Sequence, residues 1–336
     1  MTAPRLLRTL GALLLATVLA ACGAGAADRP AAEPAPTGGP FPVTIEHAFG
    51  TTTIERAPER VVTLGVTDAD PVLALGITPV AVTGYSYYPE TGLGPWAQEL
   101  VRGPQPTRLA SDSTPDLEQV AVLEPDLIIG ISAGFDQAVY DRLSALAPTI
   151  ARPAGTAAYT VPRDEATRTI ATALGKTEEG EALVRRTDAA FAEAAAAHPE
   201  FQGRTGTVVL PYEGQYGAYL PGDARGRFMA ELGFELPAEL AARDTGESYF
   251  VEVSREQVGL LDGDVLVMLA DDPAARAFVE GDEVLQALPV VQEGRMVVPD
   301  TDTRGAMTYN SVISVPYALD RLVPALADAV GRLPAG

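Results

Sequence analysis

The chain has 336 residues with 45 acidic and 24 basic side chains, and its formal net charge is −21 at pH 7. So large an acidic excess argues against nucleic acid or an anionic membrane surface as a binding partner. One cysteine and two histidines give almost no support to a Cys-His or Ser-His nucleophile system. We therefore expect no catalytic residues, and the scarcity of histidine also disfavours a bare metal site.

The first residues follow the order of a secretory signal peptide. Arg5 and Arg8 form a positive start, an apolar run from Leu6 to Leu19 follows, and small residues close the segment. The run is too short to span a bilayer comfortably. We predict a signal peptide over residues 1–21 and hence an exported protein.

Cys22 is the only cysteine, so it cannot form an internal disulfide. The sequence LAACG at 19–23 resembles a bacterial lipobox, in which the cysteine is lipidated and begins the mature chain. The alternative is a plain signal with Cys22 incidental, which an idle thiol in an oxidising compartment disfavours. We predict a lipid anchor at Cys22 on the outer face of the cytoplasmic membrane, then a flexible lipidated tether over residues 22–40.

An internal repeat organises the rest of the chain. Residues 117–130 read LEQVAVLEPDLIIG and residues 255–268 read REQVGLLDGDVLVM. Each predicts a short helix, a tight turn and a buried strand. Two further pairs recur at similar offsets, 143–149 with 285–291 and 61–76 with 208–233. We predict two copies of one α/β unit, an N-terminal lobe over residues 41–160 that starts with a hairpin at 43–54, and a C-terminal lobe over residues 201–336.

The segment between the two copies is helical by pattern. Residues 164–198 are rich in Ala, Glu and Arg and break once, at Gly175. The part after the break would span roughly 30 Å at 1.5 Å per residue and act as a stiff connector. We predict an interlobe helix over residues 161–200 and a ligand cleft between the lobes.

Short motifs in both copies carry a family resemblance. They include RVVTL at 60–64, LALGITPV at 73–80, PDLII at 125–129, VSRE at 253–256 and LPVVQEGR at 288–295. In this order, from Thr44 onward, they resemble class III (helical-backbone) periplasmic binding proteins, which bind ferric siderophores, haem or cobalamin for ABC importers. The resemblance implies an α/β fold of two Rossmann-like lobes joined by a single long backbone helix, and we expect a monomer.

The same resemblance identifies a docking pair. In the family, one glutamate per lobe engages arginines on the membrane subunits of the ABC importer. The matching positions are Glu118 and Glu256, which the internal repeat also aligns. Asp116 and Ser254 stand where helix N-caps belong, so both glutamates fall in a first helical turn. The alternative role is to complement the helix dipole.

Aromatic residues concentrate in loops that we expect to line the cleft. Residues 84–96 and 211–227 hold six of the eleven tyrosines and the only tryptophan, and 302–309 is a third candidate segment. Such rings suit a large oxygen-rich chelate, and arginines can pair with carboxylate or catecholate oxygens. The candidate ligand-binding residues are Arg225, Tyr216, Trp96, Tyr85, Arg304, Tyr212, Tyr88 and Arg227. The alternative is that the tyrosines only pack the loops down and that Arg227 only pairs with Glu231.

The predicted ligand is a ferric siderophore, a small-molecule iron chelate, with no resident cofactor. Haem usually takes a His, Tyr or Met ligand, and we expect both His47 and His198 to face solvent. Tyrosinate-ligated haem and cobalamin stay open. A structural surface lipoprotein and a carboxylate-dependent hydrolase are the alternatives from other classes.

Overall fold

Two five-stranded sheets organise the chain in the computed structural model, which describes residues 39–246 and 248–334. The predicted signal peptide, Cys22 and all but the last two residues of the predicted tether lie outside the described residues. Within the described part, no helix is both long and apolar enough to cross a membrane. The described residues from Pro40 onward cluster as one compact unit that holds both sheets.

The N-terminal lobe is built on a parallel sheet of order β5-β4-β3-β6-β7. Its central strands read as continuous apolar runs because helices cover both faces, and Leu127–Gly130 is buried throughout. The strands are β3 Val61–Thr63, β4 Ala81–Val82, β5 Thr107–Arg108, β6 Leu127–Gly130 and β7 Thr149–Ala151, preceded by a hairpin of β1 Val43–His47 and β2 Gly50–Ile54. The helices are α1 Ala69–Ala74, α2 Pro95–Gln98, α3 Leu117–Val122 and α4 Gln137–Ser144.

Two helices lead from this lobe towards the second. They are α5 Arg163–Ala173 and α6 Thr177–Ala197, separated at Gly175, where φ is +67°. The 21 residues of α6 give a helix of roughly 30 Å, as the sequence predicts. The domain boundaries at 160/161 and 200/201 stay predictions.

The C-terminal lobe repeats the sheet with one change of direction. Its order is β10-β9-β8-β11-β12, in which β8, β11 and β12 are parallel but β9 and β10 run antiparallel to their neighbours. The strands are β8 Gly206–Tyr212, β9 Gln215–Tyr219, β10 Phe250–Val253, β11 Val265–Met268 and β12 Met296–Val297. The helices are α7 Ala224–Glu231, α8 Ala238–Ala241, α9 Pro273–Glu280, α10 Glu283–Gln286, α11 Pro289–Gln292, α12 Thr301–Tyr309 and α13 Ser314–Val330, with 3₁₀ turns at Pro199–Phe201 and Arg255–Leu261.

The antiparallel strand β9 corrects a sequence prediction. Residues 211–219, predicted as a loop, form the end of β8, a two-residue turn and β9. Glu213 and Gly214 both have positive φ, +48° and +79°, which matches the tight turn that joins antiparallel strands. The candidate segment 302–309 is not a loop either. It belongs to the helix α12, which Asp300 caps by accepting the Thr303 N–H at 2.7 Å.

The hairpin β1–β2 forms where predicted, but His47 does not face solvent. The side chain is buried, its Nε2 lies 2.9 Å from Thr52 Oγ1, and its ring packs edge-on against Tyr140. Burial lowers the pKa of His47 because it disfavours the charged imidazolium. His198 is partly exposed beside Glu200 after α6.

Candidate functional site

A cavity of about 420 Å³ lies where the two lobes meet. The N-terminal lobe contributes the loops that follow β3, β4 and β6, at the carboxyl ends of parallel strands, where ligands bind in open α/β sheets. The approach to α5, the N-terminal end of α7 and the α12–α13 junction complete the wall. The cavity therefore draws on both halves of the repeat.

Asp68 holds the N-terminal wall together. Its buried carboxylate accepts the backbone N–H groups of Gly65, Ile131 and Ser132 at 3.1, 2.8 and 3.0 Å, so it ties the loop after β3 to the loop after β6. Burial raises the pKa of Asp68 to about 6, and these hydrogen bonds offset part of that rise. A side chain at Gly65 would collide with this carboxylate, since a Cβ there would lie 2.2 Å from Asp68 Oδ2.

Arg225 lies at the start of α7 and is already paired. Asp223 accepts its Nε and Nη2 at 2.7 and 2.8 Å, and the Asp223 side chain also caps the helix through the Arg225 N–H at 2.8 Å. The remaining Nη1 donates to the Tyr219 hydroxyl at 2.7 Å. This fork on a carboxylate fixes the guanidinium and neutralises its charge at the cavity wall.

Arg163 joins the opposite wall at the first residue of α5. Its Nη1 donates to Asn310 Oδ1 at 2.5 Å, and its Nη2 lies 3.3 Å from Glu231 and 3.5 Å from Asp188. Asn310, with φ +47°, ends α12 in the left-handed conformation and donates to the Ala224 carbonyl at 2.9 Å. One arginine thus connects α5, α6, α7 and the α12–α13 junction.

Two exposed tyrosines stand on the two lobes at the cavity. Tyr159 precedes α5 and is 55% exposed, and Tyr249 precedes β10 and is 44% exposed. Burial of its hydroxyl and a hydrogen bond with Asp112 raise the pKa of Tyr159 to about 12. The Tyr159 hydroxyl also packs against Gly134, where a Cβ would lie 2.1 Å away, so the ring position depends on that glycine.

Only three of the eight candidate ligand residues line this cavity: Tyr85, Arg225 and Arg227. Arg227 donates from Nη2 to the Gly222 carbonyl at 3.0 Å. The sequence alternative, a pair with Glu231, is not what forms, because Arg163 bridges that carboxylate instead.

Trp96, Tyr88 and Arg304 lie behind the cavity wall, contrary to expectation. The Trp96 indole donates to Asp70 at 2.8 Å and packs against Tyr309, which itself lines the cavity. Tyr88 donates to Asp302 at 3.1 Å. Arg304 is buried in an ion pair with Asp271 and lies under the Tyr87 ring. All three join the loop after β4 to α12 or support that contact.

Tyr216 and Tyr212 are away from the cavity. Tyr216 is fully buried in the core of the C-terminal lobe, where its hydroxyl donates to Asp282 at 2.8 Å. Tyr212 lies at the end of β8 and donates to Glu252 on β10 at 2.8 Å. The strand β9 explains both positions, because it turns the expected loop back into the sheet.

Sequence reasoning missed the cavity residues that lie outside the aromatic loops. These are Asp68, Tyr159, Arg163, Tyr249 and Asn310. Asp68 could have been found as the aspartate that precedes α1, at an N-cap position. Arg163 is the first residue of α5, directly after Pro162, and nothing in the sequence marks it as a cavity residue.

Glu118 and Glu256 occupy matching positions of the two repeats. Both side chains are exposed, and each lies in the first turn, of α3 and of the 3₁₀ turn Arg255–Leu261. Asp116 caps α3 through the N–H groups of Glu118 and Gln119, as predicted. Ser254 makes no side-chain capping bond. Within the described residues, no cluster of three His, Cys, Asp or Glu side chains could hold a metal ion.

Two α/β lobes, a long connecting helix and a cavity at their junction define a two-lobed solute-binding protein. The chain belongs to the periplasmic binding protein family, whose model matches residues 61–303. It is 27% identical over 263 residues to the Fe(3+)-citrate-binding protein YfmC of Bacillus subtilis. The alignment covers 77% of this chain and 78% of YfmC.

Solved structures agree with this fold. A periplasmic solute binding protein from Mycobacterium smegmatis superposes with a TM-score of 0.78 at 31% identity, over 86% of this chain and 99% of that one. Staphylococcus aureus SirA, solved with staphyloferrin B, gives a TM-score of 0.69 at 26% identity, over 84% and 98% of the two chains.

Proposed function

We propose that this protein is an exported, lipid-anchored binding protein that captures a ferric siderophore and delivers it to the membrane subunits of an ABC importer. The observation that carries the proposal is the cavity shared by both lobes, in a family that includes an Fe(3+)-citrate-binding protein and a protein solved with staphyloferrin B. Its volume of about 420 Å³ falls in the range of small-molecule sites.

The cavity supports binding without chemistry. Its aromatic rings offer flat apolar faces with polar tips, and two of its three arginines are held by carboxylates and a side-chain amide. An iron chelate that keeps its own iron ligands needs only such outer contacts. Cys22 would anchor the chain, and Glu118 and Glu256 would present one carboxylate per lobe to the importer.

Haem ligated by histidine is disfavoured by the same geometry. His47 is buried against Thr52 and Tyr140, and His198 lies beside Glu200; neither lines the cavity. Two other ligands, cobalamin and haem ligated by a tyrosinate, are distinguished by the titration described next.

The test is a titration of the soluble mature domain with ferric siderophores, their iron-free forms, haem and cobalamin. Trp96 lies one layer behind the cavity through Tyr309, so its fluorescence should change on binding, and calorimetry provides a second readout. Saturable submicromolar binding of a ferric siderophore, weak with the iron-free form, is expected. Binding of haem or cobalamin alone, or of nothing, would contradict the proposal.

A further inference from the structure

The charged side chains at the cavity nearly cancel one another. Five of the lining residues are charged, namely Arg163, Arg225, Arg227, Asp68 and Asp223. Three cations against two anions leave one positive charge. Asp188 and Glu231 pair with Arg163 without lining the cavity themselves, and counting them leaves the group with one negative charge.

Two of the three arginines already engage other side chains through their guanidinium groups. Asp223 takes Nε and Nη2 of Arg225, and Tyr219 takes Nη1. Arg163 divides its guanidinium among Asn310, Glu231 and Asp188. Of the three, only Arg227 has no carboxylate within ion-pair distance among the described residues, and its donor engages a backbone carbonyl.

Uncharged hydroxyl groups also line the cavity and can donate hydrogen bonds to a ligand. Among the lining residues, Thr308 Oγ1, the Tyr309 hydroxyl and Arg163 Nε are buried without a hydrogen-bond partner. Tyr85, Tyr159 and Tyr249 add further hydroxyls and ring faces. Buried unpaired hydroxyls cost stability until a partner satisfies them, and neutral chelate oxygens can accept from them.

We propose that the cavity selects ferric chelates of low net charge, such as tris(hydroxamates), over trianionic tris(catecholates). This inference rests on the proposed function and specifies the ligand of that site. A trianionic ligand would enter a site in which two of the three positive charges are already paired with carboxylates, in a protein of net charge −21, and would meet repulsion with little compensation. A neutral chelate incurs no such penalty.

The test compares ferrichrome, a neutral ferric tris(hydroxamate), with ferric enterobactin, a trianionic tris(catecholate), by calorimetry. The variant Asp223→Asn keeps an oxygen that can cap α7 but removes the charge that neutralises Arg225. We expect the ratio of affinities to move towards the anionic chelate by about tenfold or more. Glu231→Gln, which removes one of the two carboxylates that pair with Arg163, should move it in the same direction.

Asp272→Asn is the matched control. Asp272 caps α9 in the same manner and is not among the residues that line the cavity, so its loss should leave the ratio unchanged. Circular dichroism checks that each variant folds. The inference is overturned if the wild-type protein binds the trianionic chelate more tightly, or if neither Asp223→Asn nor Glu231→Gln changes the ratio. Failure to bind any ferric chelate would instead overturn the proposed function.

Discussion

Tyr159 and Tyr249 are the two exposed tyrosines among the residues that line the cavity. Each offers a large ring to solvent at the cavity, one from each lobe. We expect Tyr159→Ala and Tyr249→Ala each to weaken binding of the ferric chelate by about tenfold, or about 1.4 kcal/mol, since aromatic rings at a binding surface contribute strongly.

Tyr212→Ala is the control for these two variants. It removes a tyrosine from the end of β8, where the hydroxyl bonds Glu252 and not the cavity. Calorimetry should show unchanged affinity for this variant. Equal losses in all three variants would contradict a specific role for the two cavity tyrosines.

Asp70 is a second residue with a measurable signature. Its buried carboxylate accepts from the Trp96 indole at 2.8 Å and from the Ser311 hydroxyl at 2.5 Å, and so ties α1 to the α12–α13 junction. Burial raises its pKa from 3.8 to about 6, although both hydrogen bonds act in the other direction. Between these pH values the folded protein holds a proton that the unfolded chain releases.

The contribution of Asp70 to stability is therefore fully present below the unfolded pKa and is lost as pH rises through the folded pKa. The loss is at most about 3 kcal/mol, from about 1.4 kcal/mol per pKa unit. We expect Asp70→Asn to lack this loss, so that its free energy of unfolding relative to wild type rises between about pH 4 and pH 7. Urea unfolding followed by Trp96 fluorescence measures it; Asp68 titrates in both proteins and cancels. A difference independent of pH would contradict the assignment.

At the scale of elements, the contact between α5 and α6 depends on Gly180, which has no side chain. A Cβ at Gly180 would lie 2.2 Å from Ala171 Cβ. Helix propensity alone favours Gly180→Ala by about 1 kcal/mol. We expect the reverse, a destabilisation of about 1–3 kcal/mol, because the extra methyl group must push the two helices apart.

Urea unfolding of the variant measures that change. Ala171→Gly in the same chain should restore much of the loss, as expected for residues in direct contact. Gly259→Ala is the control, since a Cβ there meets no atom within 4 Å. A stabilised Gly180→Ala protein would show that the helices adjust without cost.

How far the sequence predicts an element depends on how local its signal is. The hairpin β1–β2, the break at Gly175 and the strand β6 all follow from short patterns. The turn at Glu213–Gly214 was missed because Pro and Tyr around it read as loop, whereas pairing with β8 and β10 makes β9 a strand. Tertiary contacts, which one sequence does not display, decided the positions of Tyr216 and Trp96.

At the scale of the whole molecule, the internal repeat places one exposed glutamate at the same position of each lobe. Glu118 and Glu256 come from equivalent segments, and both are exposed. We expect the double variant Glu118→Ala/Glu256→Ala to bind the chelate normally and to abolish its transport, because importer docking would lose one carboxylate from each lobe. Iron uptake by cells that carry only the variant measures this, with calorimetry on the purified protein.

Glu46→Ala/Glu239→Ala is the matched control, since it removes one exposed carboxylate from each lobe at other sites. It should sustain uptake. Normal uptake by Glu118→Ala/Glu256→Ala would contradict the docking role.

The architecture was predictable as a whole because the repeat and the family motifs span the chain. The sequence predicted where the cavity lies, between the two lobes, but not most of the residues that line it. Arg163 and Asn310 meet there from distant parts of the sequence, and Arg225 points at the cavity only because Asp223 caps α7.

The hairpin β1–β2 also has a consequence for solubility. It packs against β7, an edge of the N-terminal sheet; Thr52 donates to the Thr149 carbonyl, and the Ala48 N–H donates to the Arg152 carbonyl just beyond β7. An edge covered in this way offers no template for a strand from a second molecule. The edge strands β5 and β12 have two residues each, and β10 carries the charge of Glu252. A chain cut after β2 would therefore expose β7 and be prone to aggregate through its sheet.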